Sequence, residues 1–251
     1  MKFARYEFQG EVAYGIVEGD WVRRISTTPF AEYEPTGTRH RLAEVRLLAP
    51  CLPSKVLAMA LNYKSHLGTY QAPKQPEPFL KAPNSVIGPG DTIVLPRDAG
   101  RVDEEAELVV VIGRRCRKVP PADALGYVLG YTCGNDVSGR PWQRGDMQWW
   151  RAKSSDTFCS IGPFIATGLD GSRLDIRARI NGREVQRGNS SELLYDIPTL
   201  ISFISQVVTL EPGDMVFTGT SGTPAELHDG DTVEVEVEGI GTLLNPVRAE
   251  G

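Results

Sequence analysis

The stretch RVDEEAELVVVIG, at residues 101–113, places two glutamates at the start of an apolar run that is typical of a buried strand. Side chains alternate between the two faces of a strand, so Glu105 and Glu107 point to the same face as Val109 and Val111. Their carboxylates then lie about 6–7 Å apart on strand geometry. Like charges so placed repel each other, and burial makes the repulsion stronger. The pattern therefore predicts a buried strand with positive charge beside its first residues.

Most of the remaining chain also has the patterns of strands. LDIRARINGREVQ predicts a hairpin that turns at Asn181 and Gly182, whereas IPTLISFISQVVTL has apolar residues at helical spacing. The proline-containing segment APCLPSKV marks a junction. We therefore expect an α+β protein that is mostly β with a few helices. It would have a small N-terminal β domain at residues 1–50 and a main domain at residues 51–251.

Composition argues against several classes of function. The chain of 251 residues has a net charge of −5 and no basic run, so nucleic acid is not expected as a partner. The first residues lack the apolar core of a signal peptide, and no apolar stretch approaches the ~20 residues that span a bilayer. The four scattered cysteines are typical of buried free thiols, which favours a cytoplasmic location. The three histidines are far apart, so any metal would be held mostly by oxygen ligands.

A third acid, Asp136, ends the apolar segment in YTCGNDVSGR. Together with Glu105 and Glu107 it could form a three-carboxylate oxygen site, which suits Mg²⁺ or Mn²⁺. Spacing alone leaves another interpretation open, because glutamates also alternate along solvated strand faces. The segment TVEVEVE at residues 232–238 is of that kind.

Seven segments occur in one order from about residue 50 to the C-terminus: NYKSH, PFLKAPNSVIGPGDTI, VDEEAELVVVIGRR, LGYVLGYTCGNDVSGRPWQ, RAKSSDTFCSIGPF, INGREVQRGNSSELLYDIPTLISFIS and LEPGDMVFTGT. In that order they closely resemble the fumarylacetoacetate hydrolase superfamily, in its branch of acylpyruvate hydrolases and 2-hydroxyhepta-2,4-diene-1,7-dioate isomerases. The resemblance implies a mixed-sheet β-roll of the superfamily's C-terminal type, built around a divalent metal and usually found in a homodimer. It also makes the domain at residues 51–251 the catalytic one.

The superfamily's ExE…D pattern falls on Glu105, Glu107 and Asp136. The resemblance therefore implies that these residues bind the metal, which would be Mg²⁺, with Mn²⁺ or Ca²⁺ as alternatives. Arg140 and Gln143 follow in the superfamily's DxSxRxxQ arrangement, here DVSGRPWQ, and are implied to contact substrate oxygens. An arginine fork suits a carboxylate, and glutamine donates a hydrogen bond without charge.

Three further positions carry over from the resemblance. Lys153, in RAKSSD, matches a lysine near the metal, where its ammonium would neutralise a developing enolate. Thr220, in TGT, matches a threonine that faces the substrate carboxylate, although a turn hydroxyl bonded to backbone is the other interpretation. His66, in NYKSH, is the candidate acid/base, because a neutral imidazole can take a proton and later return it.

The chain departs from the superfamily pattern at two positions. Hydrolysing and decarboxylating relatives carry a glutamate three residues after this histidine, where the present chain has Thr69. Glu77, in the following proline-rich loop, is a candidate replacement. At the position after the motif arginine, where the superfamily usually has an aspartate, this chain has Pro141. The loop there is therefore expected to differ in shape. Trp149 and Trp150 either wall an apolar substrate tail or pack in the core.

The resemblance implies chemistry on a 2-oxo acid, often a β-diketo acid, through a metal-stabilised enolate. The expected reaction is Mg²⁺-dependent hydrolysis of a C–C bond in an acylpyruvate- or fumarylpyruvate-like compound, with His66 as base. Two alternatives stay open. One is decarboxylation or isomerisation of a 2-oxo-ene-dioate or of oxaloacetate on the same metal site. The other is a catalytically silent dimer that binds 2-oxo acids.

Overall fold

The computed structural model describes all 251 residues and contains 19 strands and three α-helices. The strands are β1 (Lys2–Phe8), β2 (Glu11–Glu18), β3 (Trp21–Ile25), β4 (Pro35–Arg41), β5 (Arg46–Leu48), β6 (Val56–Ala60), β7 (Glu77–Lys81), β8 (Val86–Ile87), β9 (Ile93–Leu95), β10 (Val102–Asp103), β11 (Ala106–Ile112), β12 (Val128–Asp136), β13 (Ser138–Gly139), β14 (Cys159–Ala166), β15 (Asp175–Ile180), β16 (Arg183–Asn189), β17 (Met215–Phe217), β18 (Thr232–Val237) and β19 (Gly241–Ala249). The helices are α1 (Arg140–Gly145), α2 (Trp150–Ser154) and α3 (Ile197–Ser205). The mostly-β, α+β class expected from the sequence is confirmed. None of the helices is both long enough and apolar enough to cross a bilayer.

Twelve strands form one mixed sheet, whose main path runs β4-β3-β2-β1-β14-β12-β11-β17-β6-β7. Strand β5 pairs with β1, and β8 pairs with β14, at the sides of this path. The β17–β6 and β14–β8 pairs are parallel, and the other pairs are antiparallel. The N-terminal strands continue the large sheet, because β1 pairs directly with β14, with Lys2 opposite Ala166.

A second sheet of five strands has the order β16-β15-β18-β19-β9. It contains the predicted hairpin, in which β15 and β16 are joined at Asn181 and Gly182. Both turn residues have left-handed φ angles, 52° and 77°, as a type I′ turn requires. The alternating glutamates lie on β18, apart from Glu238, which directly follows the strand; the valines of β18 are buried, while the glutamates are partly or fully exposed. That segment is therefore a solvated strand face, as the sequence indicated.

The largest core cluster lies between strand β11, the second sheet and helix α3. Leu108, Val110 and Ile112 of β11 point into it. Val109 and Val111, on the opposite face, belong to a second cluster that includes residues of β14 and β17. Strand β11 is thus buried on both faces, and each of its leucine, valine and isoleucine side chains contributes about 1.5–3 kcal/mol of transfer free energy.

Candidate active site and metal centre

Antiparallel pairing of β11 with β12 brings the predicted carboxylates together. The start of β11 lies beside the end of β12, with Glu107 opposite Gly134, and the N–H of Asp136 donates to the carbonyl of Glu105 at 2.9 Å. One carboxylate oxygen from each of Glu105, Glu107 and Asp136 lies within 4.8 Å of the other two. All three side chains are buried. The sequence spacing that suggested one site therefore corresponds to one cluster in space.

Two lysines supply positive charge to this cluster. The Nζ of Lys153 donates to Glu105 Oε2 at 2.7 Å, to Asp136 Oδ2 at 2.6 Å and to Ser138 Oγ at 2.6 Å. Lys81 donates from the other side to Asp136 Oδ1 at 2.5 Å and also to the backbone carbonyl of Lys153. Both ammonium groups are buried, so each of these ion pairs is shielded from water.

Arginine adds the third cation. The Nη2 of Arg140 donates to Glu105 Oε1 at 2.7 Å, and its Nε donates to Asp103 Oδ2 at 2.8 Å. Arg101 also donates to Asp103, from Nε to Oδ1 at 2.7 Å, so Asp103, Glu105 and Asp136 all have cationic partners. The fourth acid at the site, Glu107, is in no ion pair.

The two glutamates of β11 differ in their electrostatic surroundings. Burial opposes ionisation of Glu105, but the positive charges of Lys153 and Arg140 outweigh it and lower its pKa. Burial raises the pKa of Glu107 well above its usual range, and the negative charges of Asp136 and Glu105 raise it further. The only hydrogen bond to the Glu107 side chain comes from the N–H of Gly219, at 2.6 Å to Oε2. Glu107 is therefore the carboxylate whose charge the protein's own cations compensate least.

The chemistry of this donor set fits a hard divalent cation. Three clustered carboxylates are typical ligands of Mg²⁺ or Mn²⁺. An ionised carboxylate has about four acceptor positions, so the bonds from the lysines and from Arg140 leave positions for a metal. A bound cation would also compensate the charge of Glu107, which has no cationic partner in the protein.

His66 is oriented by a backbone carbonyl. Its Nδ1 lies 2.7 Å from the carbonyl oxygen of Gly222, and the N–H of Gly222 donates to Ser65 Oγ at 3.1 Å. Because a carbonyl can only accept, Nδ1 must carry the proton in the neutral ring, which leaves the Nε2 lone pair free. Nε2 lies 4.0 Å from Glu105 Oε1 and therefore points towards the carboxylates.

Neither Thr69 nor Glu77 provides His66 with an acidic partner. Thr69 is exposed in the turn that follows the histidine. Glu77 is exposed at the first position of β7 and lines a different cavity from the one that contains His66. Pro141 occupies the first turn of α1, where a missing backbone N–H has no cost.

The candidate substrate-binding residues are placed at the site, but some of their donors are already engaged. Besides its two carboxylate partners, Arg140 donates from Nη1 to Gln143 Oε1 at 2.8 Å. This bond leaves the amide N–H groups of Gln143 as its free donors. The hydroxyl of Thr220 donates to the carbonyl of Ala106 at 3.0 Å and accepts from Gln186 at 2.7 Å. The Thr220 hydroxyl is thus bonded within the protein, whereas its backbone N–H donates to no protein group.

A cavity of about 50 Å³ brings most of these residues together. Its lining includes His66, Glu105, Asp136, Gln143, Lys153 and Thr220. Arg140 lies behind Glu105 rather than in the lining. Two of the three predicted carboxylates, the candidate acid/base and the lysine therefore line one small cavity, whereas Glu107 is not part of its lining.

Two residues of the site, Lys81 and Gly222, were not identified from the sequence. Lys81 shares a strand face with Phe79, which lines the cavity, and this alternation would have indicated an inward-pointing lysine. Gly222 acts through its carbonyl, so no side-chain pattern could have identified it.

A protein-family model described as "Fumarylacetoacetate (FAA) hydrolase C-terminal" matches residues 55–248, and one described as "Rv2993c-like, N-terminal" matches residues 1–50. The solved structure of 5-carboxymethyl-2-hydroxymuconate delta-isomerase from Mycobacterium smegmatis has a TM-score of 0.95 and 47% identity, and covers 100% of both chains. Maleylpyruvate hydrolase from Sphingobium sp. SYK-6, solved in complex with manganese (II) ion and pyruvate, has a TM-score of 0.84 and 30% identity, again over 100% of both chains. The human mitochondrial oxaloacetate tautomerase FAHD2A is 39% identical over 220 residues, which are 82% of this chain and 70% of that protein.

Proposed function

Because the chain belongs to the fumarylacetoacetate hydrolase family, we propose that it is a divalent-metal-dependent enzyme that moves a proton on a 2-oxo acid, as an isomerase or tautomerase. The family resemblance inferred from the sequence motifs is thereby confirmed. The observation that carries the proposal is the placement of His66. Its one proton-accepting nitrogen points at the carboxylate cluster, while a neutral carbonyl holds the other.

The proposed metal ligands are Glu105, Glu107 and Asp136, and the proposed ion is Mg²⁺ or Mn²⁺. Their clustering and burial support this assignment, as does the manganese in the related maleylpyruvate hydrolase structure. When bound, such an ion would polarise the carbonyl group of a 2-oxo acid and stabilise negative charge on its oxygen.

The residues of the chain have separate proposed roles. The amide of Gln143 and the backbone N–H of Thr220 donate to substrate oxygens and orient them. Lys153 keeps positive charge beside the carboxylates, which favours negative charge on a neighbouring substrate oxygen. Nε2 of His66 takes a proton from the carbon next to the substrate carbonyl and returns it to another atom of the same molecule. No bond other than C–H or O–H is broken.

Isomerisation makes smaller demands on His66 than hydrolysis does. A carboxylate partner stabilises the imidazolium that forms when histidine takes a proton from water. The carbonyl of Gly222 fixes the ring and its tautomer but carries no negative charge, and the nearby carboxylate of Glu105, 4.0 Å from Nε2, lies on the reacting side of the ring and not behind Nδ1. The carbon next to a polarised carbonyl is more acidic than water, so a histidine held in this way is suited to proton transfer on the substrate. The names of two relatives, an isomerase and a tautomerase, agree with this choice.

Hydrolysis of a C–C bond in a β-diketo acid, the reaction expected from the sequence, is the second candidate. Its support is the likeness to maleylpyruvate hydrolase over the whole of both chains. Hydrolysis would require His66 to activate a water molecule instead of a substrate C–H.

The proposal extends to the organisation of the protein. A small N-terminal domain at residues 1–50 and a catalytic domain at residues 51–251 are supported by the two family models, which match on either side of this boundary. A cytoplasmic location is supported by four free cysteines, all of them buried. The homodimer implied by the family stays a prediction.

The enol form of oxaloacetate absorbs ultraviolet light, so its decay tests the proposal directly. Chelator-treated protein should accelerate the decay only after Mg²⁺ or Mn²⁺ is added. His66→Asn should reduce the rate by about 10²–10⁴-fold, the range typical of a lost general base. Glu107→Gln should abolish the acceleration that the added metal produces. Glu236→Gln, on the solvated face of β18, serves as the matched control and should leave that acceleration intact.

Product analysis separates the candidates on a panel that includes β-diketo acids. Conserved mass identifies an isomerase, release of pyruvate with a second acid identifies a hydrolase, and carbon dioxide identifies a decarboxylase. Metal-dependent binding without any turnover would contradict the enzyme proposal and identify a silent 2-oxo acid-binding protein.

A further inference from the structure

The small cavity at the carboxylates shares a wall with a much larger groove. The cavity has a volume of about 50 Å³, which is room for only about three water molecules. The adjacent groove has a volume of about 950 Å³. Ala60, Phe79 and Trp149 line both spaces. A 2-oxo acid can place its reacting end in the cavity, but a larger distal group must extend along this wall into the groove.

Phe79 and Trp149 form an aromatic pair at this boundary. Their ring centroids lie 5.2 Å apart with an interplanar angle of 71°, which is an edge-to-face arrangement. Phe79 comes from β7, and Trp149 directly precedes α2. The Phe79 centroid also lies 5.0 Å from the Nζ of Lys153, so the pair reaches the edge of the reacting centre.

The rest of the groove offers apolar surface and no uncommitted cation. Its apolar lining also includes Pro78, Leu80, Pro83, Met147 and Trp150. Of its two lysines, Lys81 is bonded to Asp136 and Lys55 to Asp214. The only carboxylate in its lining, that of Glu77, is exposed. At the pair of Phe79 and Trp149, which is only partly exposed, a second carboxylate on the substrate would lose water without gaining a cationic partner, which is unfavourable.

On the basis of the proposed function, we infer that the pair of Phe79 and Trp149 selects 2-oxo acids with an apolar, and especially an aromatic, distal group over those with a second carboxylate. An additional aromatic ring can contact the exposed faces and edges of this pair. A contact of that kind corresponds to up to about a tenfold change in affinity.

Phenylpyruvate and oxaloacetate test this selection with the same reaction. Both interconvert between keto and enol forms, and they differ in carrying a phenyl group or a carboxylate at the distal end. The Mg²⁺-loaded protein should have the higher kcat/KM for phenylpyruvate. Trp149→Ala should lower that value about tenfold more than it lowers the value for oxaloacetate. Trp149→Phe, which keeps an aromatic ring, should recover most of the loss.

Two further variants guard against indirect effects of removing an aromatic side chain. Phe79→Leu keeps an apolar side chain but removes the ring, and should reduce the preference in the same direction. Trp21→Ala is the matched control, because Trp21 lies on β3 among the N-terminal strands and should affect neither substrate.

Calorimetric binding of the same two compounds distinguishes this inference from the proposed reaction. Tighter binding of phenylpyruvate that is lost in Trp149→Ala, without turnover of either compound, would overturn the reaction but support the inference. An equal loss for both compounds in Trp149→Ala, a wild-type preference for oxaloacetate, or binding of neither compound would overturn the inference.

Discussion

Replacing Lys153 with methionine removes one buried ammonium and keeps a side chain of similar length and shape. In the wild type this ammonium donates three hydrogen bonds, two of them to the carboxylates of Glu105 and Asp136. The side chain is only 2% exposed, so water cannot replace the lost donors without rearrangement. The substitution therefore leaves one oxygen of each carboxylate buried without this partner.

The expected loss of stability follows from this geometry. Removing one partner of a buried, hydrogen-bonded ion pair costs about 3–5 kcal/mol. Arg140 still bonds Glu105, and Lys81 still bonds Asp136, which places the expected loss towards the lower end of the range. For a chain of 251 residues, an unfolding entropy of ~2.1 cal/mol/K per residue converts 3 kcal/mol into a fall in Tm of roughly 6 °C.

Urea unfolding in the presence of a chelator, followed by tryptophan fluorescence, measures this loss. Arg173→Met is the matched control, because its ion pair with Asp170 is exposed and its removal should change the free energy of unfolding little. Saturating Mg²⁺ should restore part of the stability of Lys153→Met, since a second cation would then lie beside the same carboxylates. Equal stability of Lys153→Met and wild type in chelator would refute the view that the ammonium compensates these charges.

Three other predictions concern His66, the buried thiols and the tight approach of strands near the site. Nitrogen-15 NMR, at a pH where the His66 ring is neutral, should find its proton on Nδ1, because that atom must donate to the carbonyl of Gly222. A proton on Nε2 would contradict the proposed role of Nε2 as the base. Burial raises the pKa of Cys51 to about 12, so its stabilising contribution is complete below the thiol's unfolded value near 9 and is lost as the pH rises towards 12. Urea titrations should therefore show stability falling by about 1.4 kcal/mol per pH unit for this thiol above pH 9, and Cys51→Ala should reduce the slope. Gly134→Ala should destabilise the protein by about 1–3 kcal/mol, because the added Cβ would lie 2.4 Å from side-chain atoms of Phe217 and Val109. Wild-type stability in the same assay would show that these side chains can move aside without cost.

Local patterns were sufficient to predict those parts of the fold and site that depend on a single segment. The alternation in β11 predicted a strand with its two glutamates on one face, and Asn181-Gly182 predicted the hairpin. The hydrogen bonds of Arg140 within the protein were not predictable. Its guanidinium group is bonded to Asp103 and Glu105, and the positions of these residues relative to Arg140 depend on the packing of separate strands. No local pattern could predict that Gly222 orients His66, because the two residues are 156 positions apart and the accepting atom belongs to the backbone.

The pairing of β1 with β14 has a consequence for how the chain folds during its synthesis. The first part of β1 has its partner 164 residues later, at Ala166, whereas its later part pairs with β5, which ends at Leu48. At ~5–20 residues per second, a ribosome needs about 6–24 s to extend the chain from β5 to β14. During that interval the nascent N-terminal meander exposes unpaired backbone groups of β1, and an exposed strand edge can pair with another chain. Crowded polysomes are therefore the setting in which this protein is most prone to associate wrongly, and a chaperone that shields β1 at that stage would raise the yield of folded molecules.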